Sequence, residues 1–425
     1  MKIEDIYKIY QQYSSIQTDT RKLQKDDLFF ALKGPNFNGN QFAKQALDSG
    51  SAYVVADEPV GFDNEKIIYV NDVLETLQQL AKYHREQFSI PFIAITGSNG
   101  KTTTKELLHE VLTTTYITYT TKGNLNNHIG IPLTILKIKP DAEMAVIEMG
   151  ANHLQEIAGY CEYAKPTHGL ITNIGKAHLE GFGGEEGVKK GKGELFEYLK
   201  NHGGTIFVNT DDAAVYDLGR SLNNVVFYGS KSQNAKGEIA KNDPFIEVKI
   251  EDKNSFTIQT NLVGAYNLPN VLAAVCVGKY FKIRVEKIKG AIENYQPSNS
   301  RSQLIQRGSN SIILDAYNAN PGSMKAAIEN FAKMKGDKKV LLLGSMMELG
   351  IESNKEHAAI ISLIDQHQWN SVVLVGKNFG EIKNYYINFE NADQAKDWLK
   401  DQQFENAQLL IKGSRSMQME KVLEQ

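Results

Sequence analysis

Ile93-Ala94-Ile95-Thr96-Gly97-Ser98-Asn99-Gly100-Lys101-Thr102-Thr103-Thr104-Lys105-Glu106 reads as a buried strand, a glycine loop and the opening of a helix. The apolar run Ile93 to Ile95 wants cover on both faces, and Gly97 and Gly100 let backbone N–H groups turn inward around a phosphate, with Ser98 and Asn99 between them. Lys101 adds a positive point charge, and the hydroxyl of Thr102 or Thr103 is a ligand for Mg²⁺. The full Walker pattern has a glycine where Ile95 stands, so this is a shortened variant, G-x-x-G-K-T. A strand before it and a helix after it are the setting in which such a loop holds a nucleotide.

Downstream of the loop, strand-like runs at 116–121, 142–149, 169–174 and 205–208 alternate with helical patterns at 106–113, 154–163 and 187–199. That alternation predicts a mostly parallel sheet covered by helices on both faces, with ligands at the carboxyl ends of the strands. Glu148 closes the run Met144 to Ile147, which places a carboxylate where a magnesium needs hard oxygens. His178 also follows a strand; by itself it reads equally as a structural histidine, and Lys189, Lys190 and Lys192 by themselves read as a solvated face. Period-two alternation from about 242 to 264 predicts an antiparallel appendage, and the helix after it carries Asn267 and Asn270 on one face, suited to an adenine edge or to capping.

The chain before the loop is a small α/β pattern ending near Phe88, ahead of Pro91. Its informative piece is Thr18-Asp19-Thr20-Arg21, followed by Leu28 to Gly34 and Asn38-Gly39-Asn40. Hydroxyls, a guanidinium and glycine turns could hold a sugar nucleotide diphosphate; equally, Asp19-Thr20 is a cap with Arg21 paired locally. Around Gln296 to Ser300 a second strand and helix series begins, with strands at 312–316, 340–344, 372–375 and 408–411 and helices from about Gly322, Asn354, Asn391 and Ser416. It reads as Rossmann-like but lacks G-x-G-x-x-G, so a dinucleotide is not expected. The expected organisation is α/β throughout: a small N-terminal α/β domain at 1–88, a central P-loop mononucleotide-binding domain with a parallel sheet at 89–297, and a C-terminal Rossmann-like domain at 298–425.

A length of 425 residues fits several domains, and the formal net charge of −3 without a block of like charges gives no reason to expect nucleic acid or membrane insertion. Glu4 and Asp5 stand where a signal peptide would carry only bases, and the chain reads as cytoplasmic. Its two cysteines, Cys161 and Cys276, are too few and too far apart for a disulfide framework or a cysteine zinc site.

Together these pieces resemble one family, the ATP-dependent Mur ligases of peptidoglycan synthesis. The resemblance spans essentially the whole chain and rests on Thr96 to Thr103, Gly123-Asn124-Leu125-Asn126-Asn127-His128-Ile129-Gly130, Glu148 to Ala151, Thr172 to Gly175 with His178-Leu179-Glu180, and Lys192 to Phe196. It continues in Asp315-Ala316-Tyr317-Asn318-Ala319-Asn320-Pro321 and Leu343 to Gly350. These last stretches and Asn126-Asn127 resemble the member that adds a dipeptide, and no Asp-Asn-Pro-Arg string of the amino-acid-adding sibling occurs. Two departures stand out: Asn299-Ser300-Arg301 where the family has Gly-Arg, and Ser345 where it has Asp.

The resemblance implies that ATP phosphorylates the free carboxylate of UDP-N-acetylmuramoyl-tripeptide and that the amine of D-Ala-D-Ala displaces phosphate, with the chain working as a monomer. It implies Lys101, Lys192, His178 and Arg301 as catalytic residues, and two Mg²⁺ sites on Thr102, Glu148, His178 and Lys192. Lys192 follows His178 by fourteen residues, the spacing at which these ligases place a lysine carbamylated by CO₂. Gly97 to Thr103 would hold the phosphates, Asn267 and Asn270 the adenine, Asp315 the ribose, and Thr18, Thr20, Arg21, Asn126, Asn127 and Asn318 the other substrates. The competing readings are a sibling amide ligase and a nucleotide-operated binding module.

Overall fold

The computed structural model describes every residue except Gln233, Asn299 and Gln425, so Asn299 of the second border lies outside the described residues. The chain is α/β throughout. Its first sheet is parallel, with Ile16–Gln17, Leu28–Phe30, Tyr53–Ala56 and Ile67–Tyr69 side by side in that order. The helical pattern after Asn38 starts as a 3₁₀ turn, Gly39–Phe42, because the Asn38 side chain accepts from the Asn40 N–H and tightens the entry; the α-helix proper is Ala43–Asp48. Helix Val73–Arg85 opens on an Asp72 cap and buries Leu77, Leu80 and Ala81. At its end Arg85 donates to the carbonyls of Ala164 and Lys165, tying this unit to the next.

Six parallel strands form the central sheet, ordered Val225–Tyr228, Thr205–Asn209, His168–Ile171, Phe92–Thr96, Met144–Glu148, Thr118–Thr120. The register sets Ile95 against Glu148 and Thr96 against Ile171, so neighbouring strands deliver Gly97, Glu148 and Thr172 to one sheet edge. Helix Lys101–Thr113 lays Leu107, Leu108, Val111 and Leu112 into a core shared with Val271, Leu272 and Val275 of helix Leu268–Tyr280. Each such fully buried side chain contributes roughly 1.5–3 kcal/mol, which makes the loop's support rigid. The alternating segment is the antiparallel appendage Lys236–Asn242, Phe245–Glu251, Phe256–Val263.

The last sheet is ordered Gln303–Arg307, Asn310–Asp315, Gln408–Lys412, Lys339–Gly344, Ser371–Val375, Ile387–Phe389, and is parallel except for its first strand. That antiparallel edge strand has no clean burial alternation, and nothing in its pattern announces it. The expected helix from Ser416 is instead two 3₁₀ turns, Arg415–Met417 and Met419–Leu423, because Gln418 between them takes a left-handed backbone with φ of 49°. No helix among the described residues is long and apolar enough to cross a membrane.

Candidate active site

The phosphate loop is held from one side by the end of strand His168–Ile171. Ser98 N–H donates to Asn173 O at 2.9 Å, Asn99 N–H to Asn173 Oδ1 at 3.0 Å, and Thr172 Oγ1 to Asn99 O at 2.6 Å. Gly97 has φ of 141° and a Cβ there would lie 2.0 Å from Thr172 Oγ1; Gly100 has φ of 79° and its Cβ would lie 2.6 Å from Asn270 Oδ1. Both positions therefore require glycine on conformational and on steric grounds. Helix Lys101–Thr113 opens on Gly100 without a side-chain cap, which leaves its first-turn N–H groups and the positive end of its dipole for an anion. Lys101 curls back, its Nζ donating to the carbonyls of Gly97 at 2.8 Å and Ser98 at 3.1 Å. Desolvation lowers its pKa, opposed by the charge of Glu148. Thr103 is half-buried beside it.

Glu148 is 1% exposed and is gripped at both carboxylate oxygens: Thr102 Oγ1 donates at 2.8 Å and Asn126 Nδ2 at 2.7 Å. Hydroxyl, carboxylate and amide oxygen within one contact network make a hard donor set that fits magnesium. Lys192, on helix Glu185–Asn201, is also 1% exposed; its Nζ donates to Ala151 O at 2.9 Å and lies 4.9 Å from the Phe182 ring centre. Burial first, then the charge of Lys101, push its pKa well below the ordinary lysine value. The solvated-face reading thus holds for exposed Lys190 but not for Lys192. His178 sits in a left-handed conformation with φ of 54°, and its Nδ1 lies 2.5 Å from a Glu348 carboxylate oxygen of the last sheet's unit. Among the described residues no three His, Cys, Asp or Glu side chains cluster as a metal site. As an amine Lys192 does not ligate a cation, so a second magnesium fits only if that side chain is converted to a carboxylate.

The other expected site residues divide. Asn267 and Asn270 are buried and bonded inward: Asn267 Nδ2 to Val263 O, Asn270 Nδ2 to Asn267 Oδ1, and Asn270 Oδ1 from Thr104 Oγ1. Arg301 stacks at 3.7 Å on the Tyr317 ring, with its buried Nε unpartnered. Asp315 pairs with buried Lys412 at 2.5 Å and accepts from Ser302 N–H. Asn318 caps its own turn, accepting from Ala319 N–H, and Asn127 Oδ1 accepts from the N–H groups of Ile129 and Gly130 in the turn that leads into helix Gly130–Ile135. Thr18 and Thr20 are half-buried, whereas Arg21 is exposed and forks onto Asp19 at 2.9 and 2.8 Å; Asp19 also caps the 3₁₀ turn. The local cap is thus what the N-terminal segment forms. Asn173, Glu348 and Asn320, whose Nδ2 donates to Asn99 Oδ1 at 2.7 Å, were not singled out by sequence reasoning. Polar residues at strand ends and at a helix cap carry no chemical signature of their own.

A shortened phosphate loop, a buried carboxylate on its threonine and a desolvated lysine, gathered in the central α/β unit between two others, define the class. The chain belongs to the Mur ligase family: residues 12–85 match the Mur ligase catalytic domain, 95–278 the Mur ligase middle domain and 300–415 the glutamate ligase domain of Mur ligases. The UDP-N-acetylmuramoyl-tripeptide–D-alanyl-D-alanine ligases of Bacillus subtilis and Escherichia coli K12 are each 35% identical to it over 96% of the chain and 92% of their own length. Among solved structures, MurF from Acinetobacter baumannii superposes with a TM-score of 0.87 at 29% identity, covering 98% of this chain and 96% of that one. MurF from Thermotoga maritima, in complex with ADP, gives 0.86 at 26% identity, covering 96% of each.

Proposed function

We propose that the chain is an ADP-forming ligase that joins D-alanyl-D-alanine to UDP-N-acetylmuramoyl-tripeptide. The carboxylate of the tripeptide attacks the γ-phosphorus of ATP and ADP leaves; the dipeptide amine then attacks the acyl carbon, phosphate leaves, and the amine gives up a proton. The observation that carries this reading is the uncapped loop facing the Thr102, Glu148 and Asn126 network, together with the full-length match to the tripeptide ligases.

Two anions must meet in the first step. Lys101 would swing from the loop carbonyls onto the phosphates, and the first-turn N–H groups would take the oxygens. Magnesium, when bound, supplies Lewis-acid neutralisation of the phosphoryl oxygens; Thr102, Glu148 and His178 would hold it, with Lys192 as its carbamate. Burial lowers the Lys192 pKa and so favours the amine form, whose electron pair adds to CO₂; the adduct loses a proton to become the carbamate. Asn267 and Asn270 would take the adenine end, Asp315 the ribose, and Arg301 the phosphates. Thr18, Thr20 and Arg21 would take the nucleotide sugar, and Asn126, Asn127 and Asn318 the peptide parts. We assign domains of 1–88, 89–297 and 298–425, and a cytoplasmic monomer.

Phosphate release with ATP and the tripeptide, across a panel of acceptors, tests the reading. D-Ala-D-Ala should drive release, with the pentapeptide product seen by mass. Release no greater than with D-Glu, diaminopimelate, lysine or folate would replace it with a sibling ligase, and nucleotide binding without acyl transfer would replace it with a binding module.

A further inference from the structure

Asn320 holds two positions at once. It is the N-cap of helix Pro321–Lys333, with Oδ1 accepting from Ser323 N–H at 2.9 Å and Ser323 Oγ returning to Asn320 N at 3.1 Å. Its Nδ2 points the other way, across to the central unit, and donates to Asn99 Oδ1 at 2.7 Å. Asn99 lies within the phosphate loop, and its main chain is fixed by Thr172 and Asn173. The helix end approaches closely, since a Cβ on Gly322 would come within 3.7 Å of Asn99 Nδ2. Other polar joins between the two units, Lys176 with Glu356 at 2.7 Å, His178 with Glu348 at 2.5 Å and Asn242 with Asn330 at 3.0 Å, use no side chain of the loop itself. A capped side chain has little rotamer freedom left, so the Asn320 amide is held in place to meet Asn99.

We propose that Asn320 is a positioning residue that couples the phosphate loop to the docking of the C-terminal unit: the loop's conformation, through the Asn99 amide, sets whether Arg301 and its neighbours reach the reacting groups. This rests on the reading of Gly97 to Thr103 as the ATP site. Asn320→Ser separates the two jobs, because serine is as good an N-cap as asparagine but is too short to reach Asn99.

The test uses the full chain. Binding of a non-hydrolysable ATP analogue with Mg²⁺ is measured by calorimetry, shape by small-angle scattering, and turnover with all three substrates. The variant should melt with the wild type and bind the analogue within about threefold, yet stay more extended than the wild type at saturation. Its kcat should fall roughly tenfold or more, since misplacing a reacting group by an ångström costs up to about 10²-fold. Asn99→Ala should add little in the variant background, as expected for two ends of one interaction. A variant with wild-type scattering, a kcat loss below tenfold, or effects additive with Asn99→Ala would overturn the coupling and leave the ATP site standing. If the analogue does not bind the wild type, the nucleotide reading falls and this inference with it.

Discussion

The central site and the Thr18 to Arg21 segment use the same kinds of residue at opposite physical cost. Glu148 and Lys192 are each 1% exposed, and their partners Thr102 and Ala151 lie 46 and 41 residues away in the chain. Arg21 keeps 86% of its side chain exposed and satisfies itself on Asp19, two residues away. Burying an ammonium or a carboxylate costs stability unless it is paired, so a fold that carries both at one sheet edge is maintaining them against that cost. The N-terminal pair costs the fold almost nothing. Burial thus separates residues that only chemistry explains from residues that a local turn explains equally well.

The strongest way to break this contrast is Lys192→Ala. Removing the buried amine should lower turnover by roughly 10²–10³-fold, the range expected when a preorganised charged group at a phosphoryl site is lost. The melting temperature should stay above the assay temperature, so that lost activity cannot be put down to unfolding. Added acetate or formate should restore part of the activity by standing in for the carbamate carboxylate. Full activity without rescue would put Lys192 among the structural residues and erase the distinction.

How far this was legible in the sequence follows the same line. Central strands of the two large sheets were legible because they are buried runs: Phe92–Thr96 and Lys339–Gly344 are buried at every position. The edge strands Val225–Tyr228, Gln303–Arg307 and Ile387–Phe389 were not, since an edge strand half open to solvent has no forced pattern. The loop glycines were legible through their pattern and Glu148 through its place at a strand end, whereas Lys192 stood out only through the family resemblance. Illegible were contacts that exist only after folding, such as Asn173 on Asn99, Asn320 on Asn99 and Glu348 beside His178. Nor could spacing tell that Asn267 and Asn270 would turn their amides inward onto Val263 and Thr104.

Acid sharpens the comparison at intermediate size. His168 lies against the rings of Phe207, Tyr280 and Phe281, and burial pulls its pKa from 6.5 down to about 4. Between those values the unfolded chain takes up a proton that the folded chain refuses, so stability is full above 6.5 and is lost as pH falls toward 4, by about 3 kcal/mol from this residue. The Arg21 guanidinium instead lowers half-buried Asp19 to about 2, and its smaller contribution is lost only as pH falls from 3.8 toward that value. Denaturant melts of His168→Gln should therefore show a shallower loss between pH 6.5 and 4, whereas Asp19→Asn should follow the wild type there. Parallel curves for His168→Gln and the wild type would remove the histidine from the acid response.

The smallest expected effect decides what the exposed segment is for. If Arg21 meets a diphosphate, it must exchange Asp19 for the ligand, and a charge-assisted bond that replaces another returns only a fraction of its gross strength. Arg21→Ala should then raise KM for the UDP-muramoyl substrate by up to roughly tenfold, about 1.4 kcal/mol, with kcat unchanged. The melting temperature should move by no more than about 1 °C, since an exposed ion pair contributes about 0–1 kcal/mol. Asp19→Asn, which keeps a capping oxygen but frees the guanidinium, should lower the same KM. Opposite shifts in KM from the two variants mean that the Asp19 pairing competes with substrate. No shift in either means that the segment is a cap alone and that the nucleotide sugar is held elsewhere.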